Sequence, residues 1–97
     1  RAIVCESFTS PDSLEIHEMQ QPVPEPNEVL IKVEATGLDS YALTVAGLYQ
    51  IKPTLPFVPG NEVSGVIERA GDEVKHLRQG QRILATPSSG GLAEYIT

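Results

Sequence analysis

The apolar positions of this chain fall into short runs with a period of two, and almost nowhere into the period of a long helix. From Glu28 to Thr36, Val29, Ile31, Val33 and Ala35 share one side, while Leu30, Lys32 and Glu34 share the other. A strand with one buried face requires that alternation, because successive Cβ atoms point to opposite sides of a sheet. Ala2-Ile3-Val4-Cys5 predicts a shorter buried strand, and Leu14 to Glu18 a half-buried one. Asn61 to Arg69, Gln81 to Ala85 and Leu92 to Thr97 predict three more. The one helical segment is Leu38 to Gly47, with Asp39 or Ser40 as N-cap.

Turn chemistry separates these runs. Ser10-Pro11-Asp12-Ser13 reads as a turn, and so do Gly71-Asp72-Glu73 and Gly80. Gln21 to Asn27 places prolines at 22, 24 and 26, which fixes an extended connector without backbone donors. A loop is expected from Leu48 to Pro59, stiffened by Pro53, Pro56 and Pro59, and a flexible turn at Ser88-Ser89-Gly90-Gly91. Gly65, inside a strand pattern, predicts a bulge or a sharp barrel corner. Short strands at near-regular spacing give a mostly β fold, a small barrel or sandwich with one short helix.

Length and charge narrow the function. Ninety-seven residues make one domain, 1–97. Lys and Arg number 7 against 13 Asp and Glu, for a net charge of −6. A nucleic acid or an anionic membrane surface needs a basic patch, so neither is expected as a partner. No apolar run approaches the roughly 18 residues of a membrane span, and no basic segment followed by a long apolar one marks a signal peptide. Cys5 is the only cysteine, so no disulfide closes within the chain and no cysteine-rich metal site exists. That suits a reducing compartment such as the cytoplasm. Cys5 itself reads as a core residue sooner than as a catalytic thiol. His17 and His76 have no ligand partner at metal spacing and read as surface residues.

The segment best suited to chemistry is Pro59-Gly60-Asn61-Glu62, a polar pair delivered by a rigid loop to the mouth of a strand. No Gly-x-Gly-x-x-Gly lies between a strand and a helix, so the chain lacks its own dinucleotide-binding turn.

These pieces together resemble the N-terminal, GroES-like catalytic domain of the medium-chain dehydrogenases/reductases. The resemblance covers Ala2 to Thr97. It rests on the strand Glu28-Val29-Leu30-Ile31-Lys32-Val33, on Ala35-Thr36-Gly37 and on Gly47-Leu48-Tyr49. It rests further on Leu55-Pro56-Phe57-Val58-Pro59-Gly60, on Glu62, Gly65, Gly71 and Val74, on Gly80-Gln81-Arg82-Ile83, and on Gly90-Gly91-Leu92-Ala93-Glu94-Tyr95. The implied fold is a small, partly open barrel, the substrate-side half of an enzyme whose Rossmann cofactor domain lies outside this chain.

Zinc alcohol dehydrogenases of that family carry a cysteine shortly after the glycine matching Gly37, and a histidine between the residues matching Gly60 and Glu62. Here Asp39 and Asn61 stand there, and the four-cysteine structural zinc lobe is absent. An amide oxygen is a poor zinc ligand. The resemblance is therefore to the zinc-free branch, the quinone oxidoreductases and related enone and enoyl reductases. Two departures are Gln81, where the family often has aspartate, and a shortened segment after Gly37. The second leaves open whether Leu38 or Asp39 fills the position of the usual asparagine.

The resemblance implies NADPH in the full-length enzyme, bound mainly outside this chain, no zinc, a quinone or enone substrate, and a homodimer. Charge developing on the substrate oxygen must then meet hydrogen-bond donors. Asn61, Ser40 and Tyr41 are the catalytic candidates, and Asp39, Tyr49 and Glu62 the substrate-binding ones. Each also has a plain structural reading: Asn61 as a turn cap, Glu62 as a loop brace, Ser40 as an N-cap, Tyr41 as core, and Tyr49 as packing under the proline loop. The fragment is expected to be inactive alone, since it supplies one wall of the cleft. Two rivals remain, an enoyl reductase segment of a larger synthase and a stand-alone barrel acting as a co-chaperonin does. The rigid, proline-rich early connector speaks against the second, which needs a mobile, glycine-rich loop.

Overall fold

The computed structural model describes residues 1–97. Six strands and one helix follow in the order β1 (Ala2–Val4), β2 (Glu15–His17), β3 (Val29–Thr36), α1 (Tyr41–Ala46), β4 (Val63–Ala70), β5 (Arg82–Ala85) and β6 (Tyr95–Ile96). A single 3-10 turn, Pro11–Ser13, precedes β2. β1 and β2 pair as a two-stranded antiparallel sheet, and the other four strands form a sheet ordered β5-β4-β3-β6. Isolated bridges from Ala2 to Ala93 and from Cys5 to Phe57 tie the two together. The free outer edge of β5 leaves the barrel partly open.

The β3–β4 pair is the spine, and two bulges shape it. Register shifts fall between Leu30 and Ile31 and between Val33 and Ala35, so that Glu68 and Glu34 are the extra residues. A bulge puts two residues of one strand against one of its partner and bends both. This is why the alternation predicted for β3 fails at one point: Leu30 and Ile31, adjacent in sequence, are both buried, at 1% and 5% exposure. With Val63 and Ile67 they fill the inside of the sheet. Gly65, opposite Val33, flanks the second bulge, as its place in the strand pattern predicted. A Cβ there would overlap the carbonyl oxygen of Lys32, so no other residue lets β4 lie this near β3.

A second cluster joins the N-terminal strand to the helix. Cys5, Val45 and Phe57 are buried together, with Phe8, Leu14, Tyr41 and Leu55 packed around them. Cys5 and Phe57 exchange backbone hydrogen bonds at 2.8 and 3.0 Å. The Cys5 thiol is fully buried, and that desolvation pushes its pKa above the ordinary 9.0. The expectation of a core cysteine holds.

Several boundaries differ from the sequence reading. The helix runs Tyr41–Ala46 inside the expected Leu38–Gly47 segment, and of the two N-caps offered it takes Ser40, which adopts a left-handed backbone at φ 51°. Ser40 occupies the cap position, but its side chain makes no capping bond. Its carbonyl instead accepts from Leu43, Thr44 and the Thr44 hydroxyl. β4 begins at Val63, so Asn61 and Glu62 precede the strand. The last strand shrinks to Tyr95–Ile96; ahead of it Leu92 bonds to Ile3 and Pro59, and Glu94 donates to the Arg1 carbonyl. In β2, Ile16 is 67% exposed, because only β1 covers that hairpin.

Candidate functional site

The loop between α1 and β4 and the segment after β5 face each other across an open cleft of about 840 Å³. Volumes of this size suit a small organic ligand. Its floor is built from the proline-stiffened run Pro56 to Pro59, where Phe57 joins the buried cluster beneath and Pro59 is itself buried. The Leu55–Pro56 peptide is cis.

Backbone contacts, rather than side-chain packing, hold the mouth of the cleft. Gly90, Gly91 and Leu92 donate to the carbonyls of Val58, Gly60 and Pro59 at 2.7, 2.9 and 2.8 Å. Gly60 sits at φ +104°, and a Cβ on it would come within 2.8 Å of the Leu92 nitrogen. Only glycine allows both the angle and the approach. The Thr36 hydroxyl, at the end of β3, donates to the Gly91 carbonyl at 2.6 Å and fastens the same turn to the sheet. Asn61 and Glu62 are thereby carried on a short bridge between two fixed points.

Glu62 has a further restraint. The Gly37 amide donates to its carbonyl at 2.9 Å. Its carboxyl group lies over the Gly37 α-carbon, in the space that any side chain at 37 would fill. The bracing predicted for Glu62 comes from this glycine contact, with no arginine involved.

Five of the six predicted site residues line the cleft: Asp39, Tyr41, Tyr49, Asn61 and Glu62. Ser40 does not, because its left-handed backbone belongs to the start of α1. Tyr41 combines both of its readings, packing against the Cys5–Val45–Phe57 cluster and facing the cleft. Asn61 and Asp39 are exposed, and neither side chain makes a hydrogen bond within the chain. The Asn61 amide is thus free to meet a ligand instead of capping its turn. Tyr49 is 37% exposed at the rim, where the expected packing under the loop is incomplete.

Sequence reasoning missed the hydroxyls of Thr44, Thr86, Ser88 and Ser89, which line the same space. Thr44 was in principle available, since it lies three residues after Tyr41 and so on the same helix face. Ser88 and Ser89 carried only a turn signal; their place depends on the Gly60–Gly91 pairing across the cleft.

Neither metal nor dinucleotide finds a built site here. No group of three or more His, Cys, Asp or Glu side chains comes together. The cleft offers two carboxylates and an amide with no imidazole or thiolate, fewer than the three good ligands a zinc site takes. The only helix is six residues long and follows Ser40 instead of a glycine-rich turn, so these residues do not fit a pyrophosphate.

The family model described as the alcohol dehydrogenase GroES-like domain matches residues 25–97. The chain belongs to the alcohol dehydrogenase GroES-like domain family. Among curated relatives, quinone oxidoreductase of Lama guanicoe is 40% identical over 98% of this chain. Alcohol dehydrogenase of Geobacillus stearothermophilus is 39% identical over 86% of it. Among solved structures, Escherichia coli quinone oxidoreductase complexed with NADPH superposes on 98% of the chain, with a TM-score of 0.90 and 27% identity. This GroES-like domain spans 30%, 24% and 29% of those three chains, respectively. Its mostly β, partly open barrel and its oxidoreductase kinship both agree with the resemblance drawn from the residues.

Proposed function

We propose that this chain is the substrate-side domain of an NADPH-dependent, zinc-free oxidoreductase that reduces quinones or α,β-unsaturated carbonyls. The observation that carries the reading is the unengaged amide of Asn61 at the mouth of a cleft that Tyr41 also lines. NADPH, held by a separate cofactor domain, supplies the hydride. As the substrate carbonyl is reduced, negative charge gathers on its oxygen, and fixed donors aimed at that oxygen lower the barrier. The Asn61 amide and the Tyr41 hydroxyl are suited to donate to it. Tyr49 offers an aromatic face at the rim against which a flat ring can stack. The 840 Å³ space, apolar below and hydroxyl-rich above, takes such a ring.

The test uses the full-length protein that carries this chain, with NADPH and a neutral quinone, followed by loss of the reduced-nicotinamide absorbance. Turnover is expected to survive prolonged chelation. Asn61→Ala is expected to lower kcat by roughly ten- to several hundredfold, with the melting temperature unchanged because the side chain is exposed. Activity that disappears with chelator and returns with zinc overturns the zinc-free reading. A protein that oxidises simple alcohols and ignores quinones places the chain with its alcohol dehydrogenase relatives instead.

A further inference from the structure

We infer that the cleft selects uncharged substrates and rejects anionic ones of the same shape. This rests on the reading that the cleft receives the substrate, and it adds a rule of charge to it. Asp39 and Glu62 are the only charged side chains lining the space; every other polar group there is a hydroxyl or the Asn61 amide.

No basic residue lines the cleft, and two on neighbouring elements are engaged elsewhere. Lys52 belongs to the very loop that forms the cleft wall, yet its ammonium sits 5.3 Å from the centre of the Phe8 ring, where the ring face attracts it. Arg82, on β5, donates at 2.9 Å to Glu34, the extra residue of the second bulge, and neither lines the cleft. Glu62 stays at the cleft because its backbone is fixed: the Gly37 amide donates to its carbonyl, and its carboxyl lies over Gly37. A carboxylate, sulfonate or phosphate on the substrate therefore enters a wall that offers it like charge and no cation. A neutral carbonyl compound meets the hydroxyl and amide donors without that repulsion. Like charges a few ångströms apart in a partly water-filled cleft disfavour binding by roughly tenfold or more, and salt weakens the effect.

The rule separates substrates that share one reactive ring. A quinone bearing a saturated propionate arm and the methyl ester of the same quinone have equal ring chemistry, because the arm is insulated from the ring. With the full-length protein at low ionic strength, the ester is expected to show a kcat/KM at least about tenfold above the acid. The ratio is expected to shrink toward one at high salt, and likewise in the Asp39→Asn, Glu62→Gln double variant, where the acid gains relative to the ester. Equal kcat/KM for acid and ester overturns the inference. So does a preference for the ester that the double variant leaves untouched, since the discrimination then lies in another domain. Equilibrium binding of the two compounds to the protein loaded with NADP+ gives the same ratio without turnover. A missing reaction with an intact binding preference refutes the quinone-reduction reading and supports the charge rule. Turnover of both with no preference does the reverse.

Discussion

The β3–β4 spine and the wall of the cleft hold their shapes by opposite means. In the spine, Leu30, Ile31, Val63 and Ile67 are each at most 5% exposed, and position is set by what their side chains fill. In the wall, Leu48 and Ile51 are each 75% exposed, and burial reaches the loop only near its end, at Leu55, Phe57 and Pro59. Position there comes from backbone bonds between residues 58–60 and 90–92, and from glycines whose missing Cβ leaves room for a neighbour. The spine is thus sensitive to losing methyl groups, and the wall to gaining them. The wall can be rebuilt around different substrates by changing exposed side chains while the spine stays as it is.

The largest expected effect tests the spine. Leu30→Ala removes a side chain that is 1% exposed in a chain where only 11 of 97 residues are buried. A loss of about 3 kcal/mol is expected, from transfer of the side chain and from the cavity left behind. Ile51→Ala, in the wall, is expected to change stability by less than about 0.5 kcal/mol. Urea unfolding of the 97-residue chain measures both. Similar losses at the two positions would remove the distinction between the regions.

The same contrast explains what could be read in advance. Alternation located β3, β4 and β5 within a few residues, because a buried face leaves a period in the sequence. It could not foresee that Leu30 and Ile31 are both buried, since the bulge at Glu68 lies on the partner strand and has no local signature. The sequence narrows the N-cap to Asp39 or Ser40, but the left-handed backbone of Ser40 is a state which a serine does not announce. In the cleft, Asn61 and Glu62 were legible because they follow a rigid proline run and a glycine. Ser88 and Ser89 were not, because their role as a facing wall arises from pairing between segments about 30 residues apart. Ser40 does not line the cleft; it stands at the cap of α1, in keeping with its plain structural reading.

A smaller effect sharpens the account of the wall. Gly37→Ala adds a methyl group where the Glu62 carboxyl lies, and that carboxyl must move. Because the obstacle is a flexible side chain, a cost on the order of 1 kcal/mol is expected. The displaced carboxyl is expected to change KM for the substrate more than kcat. Adding Glu62→Ala to Gly37→Ala removes the conflict, so the double variant is expected to recover most of the stability lost by the single one. That non-additivity is the signature of direct contact. If the two substitutions merely add, Gly37 acts through its backbone instead, and the carboxyl is not held by it.

The smallest effect lies beneath the wall, at Cys5, where the cleft floor joins the N-terminal strand through Phe57. Burial disfavours the thiolate, so the folded chain holds the Cys5 proton to a higher pH than the unfolded one does. The unfolded chain therefore loses this proton first. Its stabilising contribution is complete below the ordinary value of 9.0, and it declines as pH rises from there through the raised folded value. Other groups titrate in the same alkaline range, so the informative quantity is the difference between the native chain and Cys5→Ala. Urea unfolding at stepwise pH is expected to show the native chain losing ground to the variant only above about pH 9. Below that, the variant is the less stable, because it leaves a small void beside Val45 and Phe57. Iodoacetamide is expected to label Cys5 slowly at neutral pH and rapidly once urea opens the chain. Fast labelling of the native chain would mean that the floor under Phe57 opens readily, and that the wall of the cleft has less beneath it than the buried thiol indicates.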